Sequence, residues 1–126
     1  MLAGQVSLAE DFFQQGRDAA NRGNYDEALA DFNRALRQNP SSAGVYCAIG
    51  IVYANKKMYQ DAVTNLKKAI ELDPDKAIAY YVLGMVYEEM SKPGEAMEAW
   101  KKFLSLRPDD KRAETAKEHL KRLGVE

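Results

Sequence analysis

The sequence predicts an all-α fold, an α-solenoid of stacked helical hairpins, and three observations carry that expectation. Chemically matched residues recur every 34 positions: Gly16, Gly50 and Gly84; Ala28, Ala62 and Ala96; Pro40, Pro74 and Pro108. A period of this length is the mark of one supersecondary unit repeated along a chain. Inside each period the apolar residues fall at helical spacing. Composition agrees, because 18 alanines stand against 11 isoleucines and valines together, a bias toward helix over sheet. At 126 residues the chain has room for one domain.

Taken in order, residues 1–7 read as a lead-in, residues 8–42 as the first unit, 43–76 as the second, 77–110 as the third and 111–126 as a final helix. The lead-in has no basic region ahead of an apolar run, and Glu10 and Asp11 follow closely, so it does not read as an export signal. In the first unit Arg22-Gly23-Asn24 makes the turn between helices, and Asn24 with Glu27 three residues on has the form of a capping box. In the second, Tyr46, Ile49, Gly50 and Tyr53 make one helical stripe. Asn55-Lys56-Lys57 interrupts it, and Ala62, Leu66, Ala69, Ile70 and Leu72 make a second stripe that ends at Asp73-Pro74, where proline cannot continue the helix. In the third, Pro93 opens the second helix, where its missing N–H costs nothing. Helices approach within ~8 Å only where facing side chains are small, so Gly16 is expected against Ala28, Gly50 against Ala62 and Gly84 against Ala96.

Residues from Asp109 to Glu126 read as one more helix. Ala113, Ala116, Leu120 and Leu123 give it a narrow apolar stripe, and Gly124 is placed to cap its C-terminus. Asp109-Asp110 at its start and Lys121-Arg122 at its end complement the helix dipole. A polar-faced helix closing the open end of a solenoid is a solubilising cap; an exchangeable arm is the other reading.

These offsets resemble the tetratricopeptide repeat, whose signature is aromatic, Leu-Gly, Tyr, Ala, aromatic, Ala and Pro. Tyr46, Ile49-Gly50, Tyr53, Ala62, Leu66, Ala69 and Pro74 match it in the second unit, and Tyr80, Leu83-Gly84, Tyr87, Ala96, Trp100 and Pro108 in the third. The first unit is looser, with Gln15 for the leucine and Ala19 for the tyrosine. Phe103 stands where the third unit should have alanine, which implies that the following helix is displaced. The resemblance implies three repeats plus the capping helix, about seven helices in a right-handed superhelix. It also implies that the first helix of each repeat lines a concave groove holding extended peptides or partner helices.

Charge is distributed unevenly between the two helices of a unit. The second helix of the middle unit carries Asp61, Lys67, Lys68 and Glu71, whereas residues 43–55 and 77–87 hold no charge at all. A helix apolar all round must be buried all round. The stripes that hold the hairpins leave a surplus: Cys47, Ala48 and Ile51 in unit two, then Ile78, Tyr81, Val82 and Met85 in unit three, extended into unit one by Phe13 and Arg17. Glu10 and Asn21 stand toward one edge, and Asn55, Glu88 and Glu89 toward the other. By the resemblance this second stripe faces the groove and is the candidate peptide-binding surface, with Tyr81 as its expected anchor. The alternative is that these helices are sandwiched and simply bury more.

One subclass of the family grips chaperone C-terminal carboxylates with a two-carboxylate clamp. That clamp would want lysine at Phe13, asparagine at Arg17 and Ala48, lysine at Ile78 and arginine at Val82, and none of the five is present. An apolar or amphipathic ligand is expected instead.

Other functions find little support. The formal net charge of −1 argues against a surface built for nucleic acid, and the charge-free runs are too short to cross a bilayer, which takes ~20 residues. The single cysteine, Cys47, cannot form an internal disulfide, and the single histidine, His119, lies 72 positions away, so a Cys–His pair is not expected. Cys47 reads as a small apolar residue rather than a reactive thiol. Glu88-Glu89 and Asp109-Asp110 read as solvated faces. No metal or phosphate-loop motif occurs, so no cofactor and no catalysis are expected. The expectation is an adaptor or chaperone-like module, cytoplasmic by default, that binds a protein or peptide. Self-assembly through the same stripe is the alternative, and the chain as one domain of a larger protein is a third possibility.

Overall fold

A computed structural model describes residues 7–125; the expected lead-in falls, except for Ser7, outside the described residues. Seven helices follow in order: α1 (Leu8–Asn21), α2 (Tyr25–Gln38), α3 (Ala43–Asn55), α4 (Tyr59–Leu72), α5 (Ala77–Glu89), α6 (Pro93–Leu106) and α7 (Ala113–Arg122). Among the described residues there is no strand. Ser7 and Ser42 start α1 and α3, their hydroxyl oxygens accepting from the N–H groups of Glu10 at 3.1 Å and Val45 at 3.2 Å. Pro93 opens α6 as expected.

The first helix of every hairpin ends in the same way. Gly23, Lys57 and Ser91, spaced 34 apart, take positive φ of 79°, 63° and 58°. The N–H groups of Asn24, Met58 and Lys92 then reach back to the carbonyls of Ala19, Tyr53 and Tyr87 at 2.9, 2.9 and 2.8 Å, a Schellman ending. This reverse turn accounts for the failure of the expected capping box. Asn24 belongs to the end of α1 and the start of α2 at once, its side chain makes no capping bond, and the Glu27 carboxylate instead accepts from Arg22 at 3.0 Å.

Helices pack as the hairpins α1–α2, α3–α4 and α5–α6, and α1, α3 and α5 lie side by side in succession. The recurring glycines sit nearest to a large side chain rather than to the alanine that the spacing implies, although at Gly50 the Ala62 backbone is also in reach. A Cβ on Gly16 would lie 2.5 Å from the Phe32 ring, on Gly50 2.6 Å from Leu66 Cγ, and on Gly84 2.5 Å from the Trp100 indole. Each glycine is therefore the seat of the large side chain 16 residues later. Ala28, Ala62 and Ala96 are fully buried, and the Ala62 carbonyl oxygen is 3.3 Å from the same point over Gly50, so there the small alanine shares the contact with Leu66.

Two hydrophobic clusters meet at α3. Val45, Ile49 and Val52, one stripe of that helix, join Ala19, Phe32 and Ala35 of the first hairpin. Cys47 turns the other way, into a cluster with Leu66, Leu83, Val86, Trp100 and Phe103. A helix with no charge is thus buried against neighbours on more than one face, and part of the surplus apolar stripe is core.

The connection before α7 has six residues where those before α3 and α5 have four. Asp109 and Asp110 precede the helix instead of occupying its first turn. Asp110 folds over Arg112, accepting from its backbone N–H at 2.8 Å and from its guanidinium at 2.9 Å; these bonds hold the Asp110 carboxyl well below the usual carboxylate range. Phe103 is fully buried with Arg112 5.6 Å above its ring. Gly124, at φ 99°, ends α7 as expected.

Glu88 is no solvated residue. Its carboxylate accepts from Trp100 Nε1 at 2.7 Å and Arg122 at 2.7 Å and lies 2.6 Å from His119 Nδ1. His119 in turn stacks on Trp100 with ring centroids 4.5 Å apart. Four residues, one from α5, one from α6 and two from α7, thereby fasten α7 onto α5 and α6.

Candidate functional site: an apolar concavity across the first helices

A concavity of about 450 Å³ opens between α1, α3 and the start of α5, within the size range of ligand sites. It exists because α1 and α3 present side chains one helical turn apart toward the same space. Phe13 and Arg17 come from α1, Cys47, Ala48 and Ile51 from α3, and Ile78 from the first turn of α5. Six of the nine residues expected to bind peptide are therefore brought together. Phe13, Ala48, Ile51 and Ile78 are half-buried and Arg17 is exposed, so an apolar surface remains open to an incoming group. The Arg17 guanidinium lies 5.6 Å from the Phe13 ring centroid.

The other three residues are elsewhere. Val82 is 6% exposed and belongs to the core. Met85 is exposed but does not border the concavity. Tyr81, the expected anchor, packs edge-on against Trp100 and Phe103 with centroids 5.1 Å apart in both pairs, and the Arg112 guanidinium sits 5.6 Å over its ring. The longer connection before α7 places Arg112 there, and no helical periodicity announces it.

Sequence reasoning also missed Lys76. It precedes α5 and lies outside every helical stripe, but it borders the concavity, and its Nζ is 3.9 Å from where a Gly44 Cβ would stand. Asn21 and Asn55, expected at opposite edges, both line the same space. Glu88, expected at an edge, is instead committed to α7. Cys47 is 3% exposed, and burial pushes its thiol up to about 11, with Lys76 opposing weakly. The thiol is protonated at neutral pH and its place is structural.

Two family profiles match this chain. One described as TPR repeat covers residues 16–57 and 56–91, and one described as tetratricopeptide repeat covers residues 77–110. The chain belongs to the tetratricopeptide repeat family. The sequence matches none of the curated proteins. Solved structures share the repeat architecture closely. The Arabidopsis OM64 TPR domain aligns with a TM-score of 0.85 at 23% identity, covering 91% of this chain and 95% of that one. MamA aligns at 0.82 and 27% identity over 93% of this chain and 69% of its own. The first TPR of Spaghetti (RPAP3) bound to the HSP90 peptide SRMEEVD aligns at 0.86 and 20% identity, covering 94% and 97%. Across these structures the likeness is one of fold, an all-α helical repeat. No helix among the described residues is long and apolar enough to cross a membrane.

Proposed function

We propose that this tetratricopeptide repeat protein is a non-enzymatic interaction module that binds a peptide or an amphipathic helix in the concavity between α1, α3 and α5. The observation that carries the reading is the meeting of Phe13, Ala48, Ile51 and Ile78 in one open apolar space. A soluble domain gains nothing by leaving such a surface to water unless something covers it. Protein or peptide binding is the work of this fold in its neighbours, one of which was solved with a peptide of HSP90 and another, from yeast Sti1, as a TPR2B-domain complex with pHsp70. The clamp positions Phe13, Arg17, Ala48, Ile78 and Val82 hold none of the clamp's side chains, so apolar contact supplies the main binding area.

The test is affinity capture with purified wild type and two variants, Ile51→Asp in the floor and Asn55→Trp at the exposed rim. Ile51→Asp buries a charge in the contact, and Asn55→Trp fills the space without touching the core. Both should lose the ligand while keeping the far-UV helical signal. Capture that survives both removes the groove from the function. Light scattering during size-exclusion chromatography separates the self-assembly reading, since a dimer dissolved by Ile51→Asp would make a second copy the occupant.

A further inference from the structure

The cations of the concavity are unanswered. Arg17 and Lys76 both border it, no carboxylate lines it, and neither side chain forms an ion pair among the described residues. What sets these two apart from the other cations without an ion pair is their place, both bordering one apolar concavity. The two cations flank the same aromatic floor. Arg17 lies over Phe13, and Lys76 Nζ approaches Gly44 at the point where the Phe13 ring edge also comes within 3.7 Å. Resting on the groove-binding reading above, we infer that the ligand is a peptide segment carrying an aspartate or glutamate among apolar residues, whose side-chain carboxylate is received between Arg17 and Lys76.

The rest of the lining defines how that segment lies. Ala48 and Ile51 continue the apolar floor along α3, and the space runs on to the amides of Asn21 and Asn55 at the C-terminal ends of α1 and α3. A chain that placed its carboxylate at Arg17 and Lys76 would pass onward over the floor. The cations give the ligand its register while the apolar floor gives it area.

The test uses a random linear peptide library tethered through its C-terminus, so that no terminal carboxylate is free. It is selected on the wild-type protein, on Ile51→Asp and on Arg17→Gln/Lys76→Gln, whose replaced side chains carry no core packing. The expected result is groove-dependent peptides with an acidic residue flanked by apolar ones. A synthetic copy of a selected peptide should bind about five- to tenfold more weakly for each cation neutralised, and replacing its acid by the amide should cost as much. Peptides that depend on Ile51 but show no acidic preference overturn this inference and leave the groove reading standing. Peptides that need a free C-terminal carboxylate, selected from a library displayed the other way round, overturn the assignment to a side chain. A library with no binder sensitive to Ile51→Asp overturns both readings.

Discussion

A single methyl group decides whether a hairpin closes. At Gly84 an added Cβ would sit 2.5 Å from a fused indole ring that is itself fully buried and stacked on His119. A rigid ring cannot yield as a flexible chain end can, so Gly84→Ala is expected to destabilise by about 1–3 kcal/mol. Urea unfolding followed by the single tryptophan measures it, and an unchanged midpoint would contradict the contact. Glu88 offers a second test at this scale. Burial pushes its carboxyl up, but hydrogen bonds from Arg122, Trp100 and His119 outweigh burial and hold it below its ordinary value of 4.5. A depressed pKa contributes stability above the unfolded value and loses it as pH falls through the folded one. Wild type should therefore melt above Glu88→Gln at neutral pH, and the gap should close as pH drops below about 4. Melting curves of the two proteins across that range supply the check.

At the scale of elements, the ends of α1, α3 and α5 are one device used three times with different residues. Gly23 adopts the left-handed conformation without a Cβ penalty, whereas Lys57 at φ 63° and Ser91 at φ 58° bear one. Lys57→Gly and Ser91→Gly should each stabilise the protein by about 0.5–1 kcal/mol, read as a rise in melting temperature that is additive for the two sites. The turn was legible at Arg22-Gly23-Asn24, but at Asn55-Lys56-Lys57 only polarity was visible, because an exposed lysine carries no signature of its backbone angle. The capping box failed for a related reason: an Asn–Glu spacing states a possibility, and a two-helix turn this short commits the asparagine backbone elsewhere. Phe32, Leu66 and Trp100 fill the space over the glycines, which sequence spacing does not state, because spacing shows which positions are small but not which neighbour occupies the space they leave.

The molecule as a whole is a one-dimensional stack whose last layer is sealed by α7. Ala113, Ala116 and Leu120 bury the end of the third hairpin, and the Glu88, His119 and Arg122 contacts fasten the seal. Removing residues 111–126 should expose Trp100 and Phe103. A red-shifted tryptophan emission with a lower melting temperature is the expected outcome, and emission unchanged by the truncation would show that α7 does not cover the core.

The sequence by itself determined the architecture. A 34-residue period with small, apolar and proline positions in fixed register can bury its stripes only by stacking hairpins, and such local periodicity is written directly in the chain. It also placed Phe13, Arg17, Ala48, Ile51 and Ile78 on the groove side of the first helices, although the same offsets in the third unit, Tyr81, Val82 and Met85, do not border the concavity. Only the tertiary structure decided which of the surplus apolar residues remain open. Val82 is consumed by the core, Tyr81 by Arg112 and the third hairpin, and Glu88 by α7, all through contacts between residues far apart in sequence. Lys76 entered the site by the same route. Burial and partnership depend on what packs from other elements, and no period within one helix contains that information.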